Sequence, residues 1–336
     1  AYYPTPYSAH TIHTRALEMA RDQVGCRFLQ KKLEEQNPFT YQTIYEQVFD
    51  ELGSLMVHPF GNYLCQKLFE VSEESFLVSI LNLVSKDLEK ISLDQHGTRA
   101  TQKLIDIFSQ YPRHLPALVA CFRDSALTLI KDINGNHVIQ RILHSLSAPW
   151  DQFVYDTACR HLVDIAKHRH GCCVLQRSID AANSSQRAEL VEKIIENSVE
   201  LVQDAFGNYV VQYVLDLNEQ EANSKLAYIF IGNMTELSTQ KFSSNVIEKC
   251  LQLNKGKVQE DMINEIAKEK QVKLMIKDQY ANYVVQRALA IAQHPLKALM
   301  LQAIQSALED LKASVFGKRI FTKLVKNYPE LLDYHC

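Results

Sequence analysis

A five-residue pattern of polar and apolar positions recurs eight times along the chain: a small or amide residue, a flat or polar one, two mostly apolar ones, then Gln or Glu. The copies run from Cys26 to Gln30, Asn62 to Gln66, Thr98 to Gln102, Asn136 to Gln140, Cys172 to Gln176, Asn208 to Gln212, Ser244 to Glu248 and Asn282 to Gln286. Their starts lie 36, 36, 38, 36, 36, 36 and 38 residues apart. On an α-helix, places one, two and five fall within about 100° of one another, while three and four point elsewhere. The pattern therefore predicts eight short helices, each presenting one face and packing the other. Places three and four supply Phe28 and Leu29, Val138 and Ile139, Val174 and Leu175, Val210 and Val211, Val246 and Ile247, and Val284 and Val285 as a buried stripe. Thr101 is the polar exception.

A longer helical stretch precedes each module, as in Glu189 to Gln203, where apolar residues recur at three and four. Tight turns follow, such as Asp94 to Gly97, Asp132 to Gly135 and Asp204 to Gly207, with Asp placed to cap the next helix or hold the loop. Six modules follow a Gly, at 25, 61, 97, 135, 171 and 207; Ser243 and Ala281 fill the other two places. Each unit is thus expected to be a long helix, a turn, the module helix and a connector. The two longer intervals place extra residues in loops around Tyr111 to Pro116 and Asn254 to Lys257.

A fixed period of this length marks a solenoid, whose units each bury a face against the next. Residues 1 to about 12, with Pro4 and Pro6, read as an irregular lead-in. From about 296 to 336 the chain reads as a capping repeat: Phe316 to Phe321 stands one period past the eighth module, with Lys318 at the first place and no Gln at the fifth.

Length alone, at 336 residues with 46% hydrophobic composition, suggests two domains, but a solenoid grows by addition and makes one elongated domain over 1–336 the simpler count. A formal net charge of -3 argues against a polybasic tail that grips any polyanion. It leaves room for a local basic stripe, and one is present just after each module: Lys31, Lys67, Lys103, Arg141, Arg177, Tyr213, Lys249 and Arg287. Such a row is expected to lie beside a phosphate backbone. Eight cysteines without a Cys-x-x-Cys pair, and no secretory apolar segment, fit a reduced intracellular protein. No apolar run is long enough to span a bilayer.

The presented places are chemically suited to nucleobases. Gln sets an acceptor beside a donor, matching the mixed edges of adenine or uracil, whereas Glu is acceptor-only and matches the adjacent donors of guanine. The first place tunes this: Asn adds a second amide beside uracil, while Cys or Ser leaves room beside a purine. The second place holds Arg27, Tyr63, Arg99, His137, Cys173, Tyr209, Asn245 and Tyr283, six of which are planar rings or guanidinium groups that stack on unpaired bases. A merely structural repeat would fix the buried pair and let the outer triple drift.

With its eight ordered modules, including the single Ser244-Asn245-x-x-Glu248 in the seventh place, the chain resembles the Pumilio homology (PUF) family over essentially its whole length, most of all its budding-yeast members. The resemblance implies an all-α fold, a right-handed α-solenoid crescent of eight PUF repeats with terminal caps, whose concave face binds single-stranded RNA antiparallel. It also implies that Asn with Gln reads uracil, Ser with Glu guanine, and Cys or Ser with Gln adenine. Asn282 with Gln286, Ser244 with Glu248, Asn208 with Gln212 and Cys172 with Gln176 then give 5′-UGUA. Asn136 with Gln140, Thr98 with Gln102, Asn62 with Gln66 and Cys26 with Gln30 extend it to UGUAUAUA, or a version with one inserted base. Cys173 removes a stacking platform in repeat five, and the branched Thr98 fits a purine edge less well than Cys, so the 3′ half is expected to be read more loosely. The family further implies a cytoplasmic, monomeric regulator that binds mRNA 3′ untranslated regions and brings repression and decay through deadenylase complex proteins on the convex side, with no cofactor and no membrane.

Two other readings meet this one. A HEAT- or armadillo-like solenoid would use an Asn ladder to bind an extended peptide, but gives the fifth place no reason to hold Gln or Glu every time. His168, His170, Cys172 and Cys173 suggest a metal site, yet ligands so close in sequence rarely wrap an ion without a returning pair; the two histidines are read as turn residues, and no metal is expected. No nucleophile, base and orienting group recur as a unit, so no catalysis is expected.

Overall fold

The computed structural model describes residues 7–333. Pro4 and Pro6 of the expected lead-in, and the last three residues of the capping repeat, lie outside them. Among the described residues the regular elements are α-helices and short 3-10 turns. They form two compact units: one runs to Ile165 and resumes over Arg169–Arg187, and the other holds Ala166–His168 and the chain from Ala188 onward. Module helices one to five belong to the first unit and six to eight to the second.

Every module is helical. Repeat one places it inside Gln23–Glu34; Gly61–Val71, Gly97–Phe108, Gly135–Ser145, Gly171–Ala181, Gly207–Asp216, Ser243–Leu253 and Ala281–Ile291 carry the others. The single long helix expected before each module is instead two helices from repeat two onward. In repeat six, the stretch from Glu189 to Gln203 is divided between Ser184–Glu196 and Ser198–Val202. Asn197 makes the break: its backbone sits at φ -102°, ψ 7°, and its side-chain Nδ2 donates to the Lys193 carbonyl at 2.8 Å. A short amide that satisfies a helix carbonyl competes with the backbone ladder and ends it. Repeats seven and eight follow the same plan, with Gln220–Phe230 before Met234–Ser238 and Lys257–Ile266 before Glu269–Met275.

The residue before each module is set by how closely the short helix approaches it. A Cβ on Gly97 would lie 2.1 Å from the carbonyl oxygen of Ile91, and one on Gly171 would lie 2.2 Å from that of Ile165. Both carbonyls stand six residues back. Ser243 meets the same situation differently, its Oγ donating to the carbonyl of Leu237, again six residues back, at 2.5 Å. The capping segment repeats the contact, since a Cβ on Gly317 would lie 2.1 Å from the Leu311 carbonyl oxygen. That segment is built from Leu296–Gln305, Leu308–Lys312 and Val315–Asn327, with Ile320 and Leu324 buried.

Two peripheral expectations are corrected. The lead-in is not irregular as far as residue 12, because the helix Ala9–Ala20 starts earlier and buries Ile12, Ala16, Met19 and Ala20 at helical spacing. The insertion near 112 is not a plain loop: Pro112–His114 is a 3-10 turn whose Arg113 and His114 both pair with Glu74. Near 256 the loop expectation holds, Gly256 taking φ +65° before Lys257 opens the next helix.

Candidate nucleic-acid interface

Burial follows the five-place pattern through all eight modules. At place two, Arg27, Tyr63, Arg99, His137, Cys173, Tyr209, Asn245 and Tyr283 are all exposed. The three tyrosines, Tyr63, Tyr209 and Tyr283, keep 51%, 57% and 53% of their surface open. Places three and four are buried in every module except at Phe28, which is half-buried beside the Tyr7 ring. Thr101 is fully buried and takes a hydrogen bond from Ser92 at 3.4 Å. At place five, all seven Gln residues and Glu248 are half-buried.

Place one departs from the expected presented face. Cys26, Asn62, Thr98, Asn136, Cys172, Asn208, Ser244 and Asn282 are all buried, Asn62 and Asn282 to 1%. Helical angles place this residue near place five, but the preceding turn folds over it and takes up its polar atoms. The Asn136 Nδ2 donates to the Asp132 and Ile133 carbonyls at 2.8 and 2.9 Å, and its Oδ1 accepts from the Gln140 Nε2 at 2.9 Å. Asn62, Asn208 and Asn282 make the same three bonds, the last to Gln66, Gln212 and Gln286 at 3.2, 2.9 and 3.0 Å. This clamp turns the Gln Nε2 inward and leaves Oε1 and the second N–H for a ligand.

Repeats one and three use a weaker version. The Gln30 Nε2 donates to the Cys26 Sγ at 3.2 Å and the Gln102 Nε2 to the Thr98 Oγ1 at 3.2 Å. Cys26 and Thr98 donate onward to the turn of the following repeat, at the carbonyls of Phe60 (3.0 Å) and Asn134 (2.9 Å). Burial raises the Cys26 thiol above its ordinary range and pushes that of Cys172 up to about 12, so both remain S–H donors. Cys172 donates to the Arg169 carbonyl at 3.4 Å and leaves Gln176 without a clamp. Ser244 likewise donates to a turn carbonyl, that of Lys241 at 3.4 Å.

The turns behave as the sequence suggests. Asp132 accepts from the Asn134 and Gly135 amides at 2.8 and 2.7 Å, and Asp94, Asp204 and Asp278 do the same in their repeats. In repeat two, His58 takes this place and caps through Nδ1, 3.1 Å from both the Phe60 and Gly61 amides. His168 occupies the corresponding turn position in repeat five, and His170 lies in the same turn.

Most of the basic row is ion-paired, while Lys31 is exposed and the Arg177 side chain is 66% exposed. The Lys67 Nζ lies 3.2 Å from Glu34, Lys103 3.7 Å from Glu70, Arg141 3.3 Å from Asp106 and Lys249 2.8 Å from Asp216, each acid belonging to the preceding repeat. These acids stand eight residues past the start of their own modules. Arg177 pairs within its own helix with Asp180, and Arg287 reaches Glu248. The sequence reading covers the cations and misses the acids, although the separations of 33 residues in three pairs and 35 in Arg141 with Asp106 follow the module spacing and are a signal in the sequence.

Two clefts open on the module faces. One of about 410 Å³ is lined by Gln23, Cys26, Arg27, Gln30, Pro59, Phe60 and Tyr63, which sets the base-edge pair of repeat one between the exposed second places of repeats one and two. Another of about 210 Å³ is lined in part by Glu248, Tyr283, Gln286, Arg287 and Lys323. Both combine flat side chains with amides or a carboxylate: Gln23 and Gln30 in the first, Glu248, Gln286 and Asn327 in the second.

The family model described as Pumilio-family RNA binding repeat matches residues 15–49, 52–85, 89–110, 125–149, 161–195, 197–226, 233–267 and 271–305. A Pumilio domain-containing protein of Schizosaccharomyces pombe is 41% identical over 94% of this chain and 46% of its own length, and Pumilio homolog 12 of Arabidopsis thaliana is 38% identical over 91% and 52%. The chain spans about half the length of these relatives. Among solved structures, the Puf4 RNA binding domain bound to the HO endonuclease RNA 3′ UTR recognition sequence is 36% identical with a TM-score of 0.80, covering 94% of this chain and 99% of that one. The RNA-binding domain of yeast Puf5p bound to SMX2 RNA is 28% identical with a TM-score of 0.81, covering 95% and 98%.

Proposed function

Because this chain belongs to the Pumilio family of RNA-binding repeat proteins, we propose that it selects single-stranded mRNA 3′ untranslated elements beginning UGUA, one base per repeat, and holds them for post-transcriptional repression and decay. The domain binds RNA and is not an enzyme. The observation that carries the one-base-per-repeat reading is the cleft of repeat one, where the Cys26 and Gln30 edge lies between Arg27 and Tyr63 in a space suited to a purine. A base held there stacks between two flat groups and meets Gln30 edge-on.

The clamp gives the uracil assignments a mechanism. In repeats two, four, six and eight, the Asn fixes its Gln with Oε1 and one N–H outward, a pair that meets the N3–H donor and a neighbouring carbonyl of uracil. Asn therefore acts through Gln. The same feature counts against the peptide-binding solenoid, because amides committed to their own turn carbonyls cannot form a ladder along a peptide.

The full element on this reading is UGUAUAUA, with one extra nucleotide tolerated between the fourth and sixth bases, where Gln176 is unclamped and Cys173 offers no ring. Recruitment of deadenylase proteins, action in the cytoplasm and a monomeric state complete the proposal. The test is a competition assay with the double variant Ser244→Asn, Glu248→Gln, which should prefer U to G at the second base. A double variant that still prefers G sinks the assignment of repeat seven, and selection from a random RNA pool that returns no UGUA sinks the element.

A further inference from the structure

The seventh repeat departs from two regularities at once. Among modules one to four, six and eight, place one clamps the place-five amide, but Ser244 bonds a turn carbonyl and gives Glu248 nothing. In the cationic row, Lys67, Lys103, Arg141 and Lys249 each pair with an acid eight residues past the preceding module's start. The residue at that place in repeat seven is Gln252, which carries no charge. Arg287, lacking the usual partner, turns to place five instead, with Nε 3.2 Å and Nη2 3.1 Å from the Glu248 Oε1.

We propose that Arg287 is the positioning residue for guanine recognition: it replaces the missing clamp, holding Glu248 by one oxygen so that the carboxylate meets the paired donors of the second base. The inference rests on the reading of repeat seven given above. The Nε hydrogen bond and the Nη2 ion-pair contact both fall on Oε1, so Oε2 keeps its lone pairs for a donor of the base while Oε1 retains room for a second. An unheld carboxylate would have to be ordered when RNA binds, and would stand uncompensated beside the phosphate backbone. The absence of an acid at 252 is then part of the specificity device, because an acid there would draw the guanidinium away.

The experiment measures affinities for four RNAs differing only at the second base, on the whole chain. Arg287→Met should cut the preference for G over U by about tenfold, leave discrimination at the first and third bases unchanged, and keep the wild-type unfolding midpoint. Arg287→Lys should restore part of the preference. Gln252→Glu, which adds a charge partner and removes nothing from the fold, should reduce the G preference in the same direction. Wild-type discrimination in Arg287→Met, or an equal loss of affinity for all four RNAs, overturns the positioning role. A wild-type chain with no G preference at this base overturns the reading of repeat seven itself, and the inference with it.

Discussion

Repeats five and six share a scaffold and differ in what they offer a ligand. Both start the module helix on a glycine pressed against a carbonyl six residues back, at 2.2 Å from Ile165 for a Cβ on Gly171 and 2.7 Å from Leu201 for one on Gly207. Both bury places three and four, as Val174 with Leu175 and Val210 with Val211. Yet repeat six exposes Tyr209 beside a Gln212 held by Asn208, whereas repeat five exposes Cys173 beside an unclamped Gln176, with the Cys173 Sγ 4.0 Å from that of Cys172. Folding and reading therefore occupy different residues of the same helix. The exposed positions can change while the buried pair stays packed.

The largest expected effect attacks the shared part. Gly171→Ala should destabilise the protein by about 2–3 kcal/mol, since the carbonyl it meets is backbone and cannot swing away; Gly207→Ala should cost somewhat less, in proportion to its looser approach. Chemical denaturation measures both, and equal unfolding midpoints for wild type and Gly171→Ala would mean that the helices separate more freely than their contact suggests. Next in size is the ring. Tyr209→Ala should lose about 1–3 kcal/mol of RNA affinity with the fold intact, and Cys173→Tyr should gain about 1 kcal/mol by the same principle. If the added ring gains nothing, stacking is not what separates the two repeats. Smaller still, Asn208→Ala should weaken uracil preference at the third base by about 1 kcal/mol, the typical worth of one hydrogen bond, while Cys172→Ala should leave selectivity at the fourth base close to wild type.

How much of this was legible in the sequence depends on the range of the interaction. The buried pairs, the exposed second places and the capping turns follow from helical angles and local chemistry, and they came out as the pattern suggested. Asn197 split a helix that periodicity drew as continuous, because a break that keeps the three-and-four spacing leaves no trace in it. Helical angles put place one on the open face for a similar reason: the angle is right, but its polar atoms are taken up by the turn carbonyls of Asp132, Ile133 and their counterparts, which no helical wheel contains. The cationic row stands out as a column, and Glu34, Glu70, Asp106 and Asp216 form a second column that keeps the same period as the modules. Reading one column of a repeat protein without the columns that can answer it overstates what that column is free to touch.

The ion-pair ladder supplies the smallest and most discriminating prediction. Asp216 belongs to repeat six and pairs with Lys249 at 2.8 Å; the carboxylate side chain is 54% exposed, so water and salt screen most of the attraction. Asp216→Asn should thus change stability by no more than about 1 kcal/mol and less at high salt. Freed from its partner, Lys249 carries a net positive charge near the module face, so affinity for any RNA should rise slightly and without regard to base. The response of Arg287→Met should be the opposite in kind, confined to one base and indifferent to the rest. A salt titration of Asp216→Asn with UGUA and with a scrambled RNA separates the two behaviours: parallel shifts for both RNAs place the ladder in the scaffold, and a shift for UGUA alone would make it part of the reading head.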